Sequence, residues 1–435
     1  MKKIIAMLLA LMMVFALVAC GEKAPADTGA NQPADTGANQ PADTGAEKPE
    51  DTAPVEPTGE PIKIGHIADL TGTDALTGTE ASRSIAFAAK YLGSIAGRPI
   101  EIVEADSQSS AAAAGDAARK LIEQDDVVCI LGPNLIGHKA VVATVAQDAE
   151  IPALFYSPTP AMMMQDNDWV IGVAGCTPQM PTVMADYVYN ELGYDKVYLM
   201  TKDDTGGYNY ANPFIANYEA LGGTILQEVY VPVPTADMAP YLQTLTDPEA
   251  DAIVAWTSGS EAITFWNTWY GLGLYENLPV VGLFHGAFTD SFICDAIKGI
   301  NPDLVELILG TPTPINYSYA IESEENASFV EAWTEEYGYL PVGNNQPGAC
   351  VQTLALVKYA IESIDGNTES AALRDALLAA DMVGPEGRLY FAEGAKGATK
   401  DVYVCCPAVV ESDGSYNYEV LKVYEAVPAE GLVVG

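Results

Sequence analysis

Residues able to do covalent or acid-base chemistry are thinly spread in this 435-residue chain. Its three histidines, His66, His138 and His285, stand far apart, and none has a partner evident from the sequence. No nucleophile elbow, phosphate-cradling glycine loop, HExxH pair or paired CxxC occurs, so no enzyme, cofactor or metal site is expected. What remains is non-covalent capture. A strand ending at Leu131 and a helix starting after Gly137 would leave backbone N–H groups near Ile136 and Gly137 able to hold a carboxylate or another acceptor. The same segment also reads as a plain helix start capped by Asn134. Tyr208, Trp256, Ser258, Phe284 and His285 each lie at or just beyond the end of a strand-like run. There they would give an aromatic-lined pocket with a few polar contacts, or would serve as packing and loop residues.

The elements that would position these residues follow an α/β alternation. Short β-prone runs (Ile62 to Leu70, Ile100 to Ala105, Val127 to Leu131, Ala153 to Tyr156) alternate with helix-like ones (Glu80 to Ile95, Ala111 to Gln124, Gly137 to Ala149). Within Ala111 to Gln124, the residues Ala114, Ala117, Ala118, Leu121 and Ile122 form one face at helical spacing. A second series has helices at Thr182 to Leu192, Asn212 to Leu221 and Ser260 to Gly271. Its strands are Lys196 to Thr201, Thr224 to Val231, Ala252 to Trp256 and Pro279 to Phe284. Such alternation predicts mainly parallel sheets flanked by helices, and the length predicts two lobes. In open sheets of this kind, ligands bind beyond the carboxyl ends of the strands. The loops to read are therefore Thr71 to Thr79, which includes Thr77, Asn134 to His138, Ser157 to Met162, Asp203 to Tyr210, Trp256 to Ser260 and Phe284 to Gly286.

The N-terminus reads as an export signal over residues 1–19, with Lys2 and Lys3 before an apolar run from Ile4 to Ala19. Leu17-Val18-Ala19-Cys20-Gly21 resembles the bacterial lipobox, which implies lipidation of Cys20 and anchoring to the cell membrane. Residues 20–60 then form a linker: Pro-Ala-Asp-Thr-Gly-Ala-Asn-Gln repeats from Pro25, with too little apolar surface to fold. The formal net charge of −39 makes nucleic acid an unfavourable partner. Beyond Cys20, the cysteines Cys129, Cys176, Cys294, Cys350, Cys405 and Cys406 have no deducible connectivity.

From about residue 61 the chain resembles, in ordered succession, the leucine/isoleucine/valine-binding-type receptors of the type I periplasmic-binding-protein family. The opening Ile62-Lys63-Ile64-Gly65-His66-Ile67-Ala68-Asp69-Leu70-Thr71-Gly72 carries the resemblance first. Ala105-Asp106-Ser107-Gln108-Ser109, Ile130-Leu131-Gly132-Pro133, Ile151-Pro152, Ser157-Pro158, Lys202-Asp203-Asp204, Ala220-Leu221-Gly222-Gly223 and Asp251-Ala252-Ile253-Val254 follow. The resemblance implies an α/β clamshell whose lobes are joined by three crossovers, expected near residues 176–180, 306–312 and 384–392. Lobe I would comprise 61–178 with 310–388, and lobe II 179–309 with 389–435. The C-terminal strands Val402 to Val410 and Glu419 to Tyr424 would return to lobe II.

The resemblance further implies a monomeric, extracytoplasmic binding protein that closes on a small solute and presents it to an ABC permease. A branched-chain or other apolar amino acid comes first, and aromatic or short carboxylic acids and amides are the alternative. A sensing module feeding a membrane receptor stays open beside transport. Three departures bear on the ligand. Leu135-Ile136 stands where amino-acid receptors carry hydroxyl residues. Thr159-Pro160-Ala161 puts an alanine at the second hydroxyl position, with Thr159 nearby as a partial replacement. No carboxylate stands at Phe284-His285, where the family pairs an acid with the ligand ammonium. Tyr208, with Tyr210 as the other choice, falls near the position of a stacking aromatic.

Overall fold

A computed structural model describes residues 57–72, 74–257, 259–284, 288–342 and 346–432. The expected signal sequence, Cys20 and most of the linker lie outside them. The first sheet contains β1 (Ile62–Ala68), β2 (Ser94–Ile95), β3 (Arg98–Asp106), β4 (Ile130–Leu131), β5 (Ala153–Phe155) and β6 (Val170–Gly172). Its order is β2-β3-β1-β4-β5-β6, parallel throughout except for the short β2 edge. Helices α1 (Ala75–Leu92), α2 (Ala111–Glu123), α3 (Ile136–Ala149) and α4 (Met162–Gln165) alternate with these strands. β1 is buried at six of its seven positions, as expected of a central strand covered on both faces. α2 buries Ala114, Ala117, Ala118 and Leu121, and Ser110 caps it by accepting from the Ala113 N–H.

The second series opens with α5 (Gln179–Asp186) and continues through β7 (Lys196–Lys202), α6 (Thr205–Leu221), β8 (Thr224–Val231), α7 (Ala239–Leu242), β9 (Ala252–Ala255), α8 (Ser260–Gly271) and β10 (Val280–Gly282). Its parallel sheet runs β10-β9-β7-β8. The start of α6 differs most from expectation. α6 starts seven residues before Asn212, because Asp204 accepts from the Gly207 N–H at 2.8 Å and nucleates the first turn there. Pro213 lies inside this helix.

α9 (Ser291–Ile300) and α10 (Pro302–Ile308) precede a third sheet of β11 (Thr313–Ile315), β12 (Asp381–Gly384), β13 (Gly387–Tyr390), β14 (Thr399–Val409) and β15 (Tyr416–Val427). Within it the chain inserts α11 (Glu324–Tyr337), α12 (Gln346–Ser363) and α13 (Ser370–Leu378). Every pairing in this sheet is antiparallel, with β14 bonded to β11, β13 and β15. Burial divides the molecule in two. One lobe has apolar clusters on both faces of the first sheet, with Phe87, Phe329 and Trp333 on one side and Ala118, Val142 and Ala146 on the other. The other lobe packs Phe214, Phe265, Trp266 and Ile253 around the second sheet.

The expectation that the C-terminal strands return to one lobe needs correction. Along β14, Val402 and Val404 enter the second-lobe cluster, whereas Tyr403 and Cys405 enter the first. The two-residue period of a strand thus splits β14 between the cores. The chain joins the second-lobe cluster at Met180 and rejoins the first at Ile315. The third passage comes later than expected, since Leu389 and Ala398 still belong to the first lobe. A buried ion pair, Lys400 Nζ on Glu386 Oε2, stands in this shared sheet, and Gln352 Oε1 accepts from the Glu386 N–H at 3.2 Å. All six cysteines beyond Cys20 are buried free thiols. No helix among the described residues is long and apolar enough to cross a membrane.

Candidate functional site

In the first lobe, the loops after β1, β3, β4 and β5 meet beyond the strand ends. Gly132 makes their approach possible: with φ 75°, an added Cβ would lie 2.5 Å from the Ile67 carbonyl oxygen. α3 then begins at Ile136 with Leu135 as its N-cap, and no side chain caps it. Asn134 therefore does not play the capping role open to it from the sequence. Its carbonyl accepts from Ser157 Oγ at 3.0 Å, and its side chain bonds Asp74. The N–H groups of Ile136 and Gly137 keep the partial positive charge of an uncapped helix start. Asn134, Leu135 and Ile136 are half-buried, and Gly137 is exposed.

Around this start lies a polar cluster that the sequence did not reveal. Asp69 is fully buried, accepts from Ser107 Oγ and lies 2.8 Å from His138 Nδ1. Burial, and then the neighbouring Asp69 charge, push the Asp74 carboxyl up, while hydrogen bonds from Asn134 and Thr77 oppose this. Thr77 thus belongs to the cluster, in the first turn of α1. Lys139 is also fully buried and donates to the Ser157 and Pro158 carbonyls at 2.9 and 3.0 Å. Burial pulls its pKa down to about 7. Its only sequence signal was its place on the face of α3 that also buries Val142 and Ala146. His66 pairs with Glu104 and Tyr156 within the sheet, at 3.1 and 3.2 Å.

Thr159 differs from its expected part. It is fully buried, its hydroxyl donates to the Ser157 carbonyl at 3.1 Å, and its backbone bridges to Cys176. The loop consumes that donor to hold its own shape. Pro160 is buried, and Ala161 is exposed at the start of α4.

The second lobe contributes aromatic residues. Tyr210 stacks on Phe284 at 3.6 Å between centroids, and Trp256 stands edge-on to both, at 4.9 and 5.6 Å. Lys202 Nζ lies 4.4 Å from the centre of the Trp256 ring and 3.4 Å from Asp204. The buried Trp256 indole N–H has no hydrogen-bond partner within the described protein. Tyr208 faces elsewhere: it stacks on Tyr230 at 4.5 Å and donates to Asp203 at 2.7 Å. Of the two tyrosines considered, the structure therefore joins Tyr210 to Trp256 and Phe284. Ser258 and His285 lie outside the described residues.

Residues 61–406 match the family model described as periplasmic binding protein. The chain is 23% identical over 376 residues to a Leu/Ile/Val-binding protein homolog 6 of Brucella melitensis, an alignment covering 85% of this chain and 93% of that one. An ABC transporter substrate-binding protein from Sphaerobacter thermophilus superposes with a TM-score of 0.77 at 28% identity, covering 85% of this chain and 99% of that one. A solute-binding protein of an ABC transporter from Rhodopseudomonas palustris, solved with 3,4-dihydroxybenzoic acid, gives a TM-score of 0.73 at 24% identity, covering 85% and 98%.

Proposed function

Since the chain belongs to the periplasmic binding protein family, we propose that it binds a small carboxylate with an apolar or aromatic body outside the cytoplasm and delivers it to an ABC importer. The carboxylate would sit at the uncapped start of α3, against the N–H groups of Ile136 and Gly137. The body would lie towards Trp256, Phe284 and Tyr210, with the free indole N–H of Trp256 offered to a polar substituent. Binding across the lobes would favour the closed form of the hinge that a permease reads.

The observation that carries this reading is how the loops treat an ammonium. Thr159 is fully buried within its own loop, Ala161 has no hydroxyl, and Asp203 and Asp204 are engaged by Tyr208, Lys202 and the start of α6. A desolvated cation without a partner is strongly unfavourable. Acids lacking an ammonium therefore rank above amino acids. One observation favours apolar amino acids as a second reading: Asp74, beside Thr77 and Asn134, could receive an ammonium from the first lobe.

A thermal-shift comparison decides between them, using benzoate, 4-hydroxybenzoate, leucine and isoleucine on refolded, ligand-free protein. Stabilisation by the benzoates alone supports the first reading. Stabilisation by the amino acids, abolished in Asp74→Asn, supports the second, and no shift with any carboxylate overturns both. The proposed membrane anchor at Cys20 is tested separately by palmitate labelling of wild type and Cys20→Ala in the native host.

A further inference from the structure

Lys139 is a buried charge that the scheme above leaves unused. It lies in the first turn of α3, three residues after Ile136, and is fully buried. Among the described residues no carboxylate pairs with it. Two of its three ammonium donors reach the Ser157 and Pro158 carbonyls, and Ser157 Oγ in turn bonds the Asn134 carbonyl. The cation therefore stands one residue contact behind the loop that opens the helix. Burial and the positive end of the helix both oppose a charge there. An anion at the helix start would relieve both.

We infer that Lys139 supplies the buried counter-charge for the ligand's carboxylate at the start of α3, and that it takes up a proton as the ligand docks. This rests on the carboxylate reading proposed above. Lys139 acts through its field and through the Ser157–Pro158 loop, as a positioning residue. Its pKa near 7 leaves it partly neutral in the free protein at neutral pH. The other groups around it do not supply this charge. Cys176 is a neutral thiol, pushed up to about 12 by burial, and Glu430 acts on that thiol. Phe155 offers its ring face at 5.5 Å. His138 is paired with Asp69, and the Asp74 carboxyl is held up by burial and by Asp69.

An anion roughly 6–8 Å away, at an effective dielectric constant of about 20, raises a lysine pKa by about one and a half to two pH units. Ligand docking should then take up about two thirds of a proton near pH 7.5 and almost none below about pH 5.5. Ligand affinity should fall about tenfold or more as pH rises from 6 to 9, because the protonated form binds the anion more tightly.

The test is calorimetric titration of the full folded protein with benzoate, 4-hydroxybenzoate and leucine, in buffers of differing ionisation heat, between pH 5.5 and 9. Lys139→Arg keeps a permanent charge and should bind without proton uptake and with a flat pH profile. Lys139→Met should bind weakly at every pH, also without uptake; if the bulkier arginine does not fold, the methionine variant alone decides. A probe that binds wild type with no uptake, or with an uptake that survives in Lys139→Met, overturns the inference and leaves the carboxylate reading standing. Failure of every carboxylate to bind overturns the carboxylate reading, and the inference with it.

Discussion

Tyr210 lies flat on Phe284, with ring planes within 13° and centroids 3.6 Å apart, and Trp256 closes the group edge-on. One ring comes from a helix start and two from strand ends, so the three tie the mouth of the second lobe together. Replacing Tyr210 with alanine should destabilise the protein by about 3–5 kcal/mol and weaken capture of aromatic acids. Tyr208→Ala, at an exposed ring stacked on Tyr230, should change neither by more than about 1 kcal/mol. Urea unfolding combined with ligand titration checks both outcomes.

Gly207 leaves no room for a side chain, since its Cβ would sit 1.9 Å from the Lys202 carbonyl oxygen. Gly207→Ala should push α6 off the end of β7 and cost about 1–3 kcal/mol or more, as overpacking does. Gly271→Ala, where a Cβ meets open space, is the control and should be neutral or slightly stabilising. Paired thermal melts read the difference.

The buried Glu386–Lys400 pair separates breaking a charge pair from replacing one. Glu386→Gln leaves an unpaired buried ammonium and should cost about 3–5 kcal/mol. The double replacement of both residues by methionine should cost far less or nothing. A double-mutant cycle by denaturant unfolding gives the coupling directly.

Lys139 also sets a pH dependence of folding. Its pKa falls from 10.5 to about 7 on burial, so the unfolded chain binds more protons between these values. Stability should therefore rise as pH increases from about 7 to 10.5, with no further contribution above that window. Lys139→Met should flatten this slope in chemical unfolding followed across pH. A slope unchanged in the variant would place its origin elsewhere.

The six buried cysteines should resist alkylation. Burial pushes Cys129, Cys176 and Cys294 up to about 12, so almost no thiolate exists at pH 8. Intact-mass analysis after brief iodoacetamide treatment should show no label on these positions in folded protein, and label on all six in denaturant.

Parallel strands and their helices were legible in the sequence because their signal is local. Thr224–Val231 is a strand residue for residue, and Ser260–Gly271 a helix in the same way. The site was less legible because it depends on direction. Tyr208 and Tyr210 are two residues apart on one helix, hence about 200° apart around it, and only one can join the Trp256 group. Lys139 was hidden because its partners are carbonyls 18 and 19 residues away, which no side-chain pattern announces. Thr159 kept the hydroxyl that its sequence position suggested, but the loop turned it inward.

The alternation of Val402, Tyr403, Val404 and Cys405 between two cores has an evolutionary consequence. Neighbouring positions on one strand answer to different lobes, so neither lobe can be exchanged as an intact cassette. A chimera that imports a new second lobe must keep the odd positions of this strand native to the first and redesign the even ones. Changes of specificity in this lineage are therefore easier to reach through the loops beyond the strand ends than by recombining whole lobes.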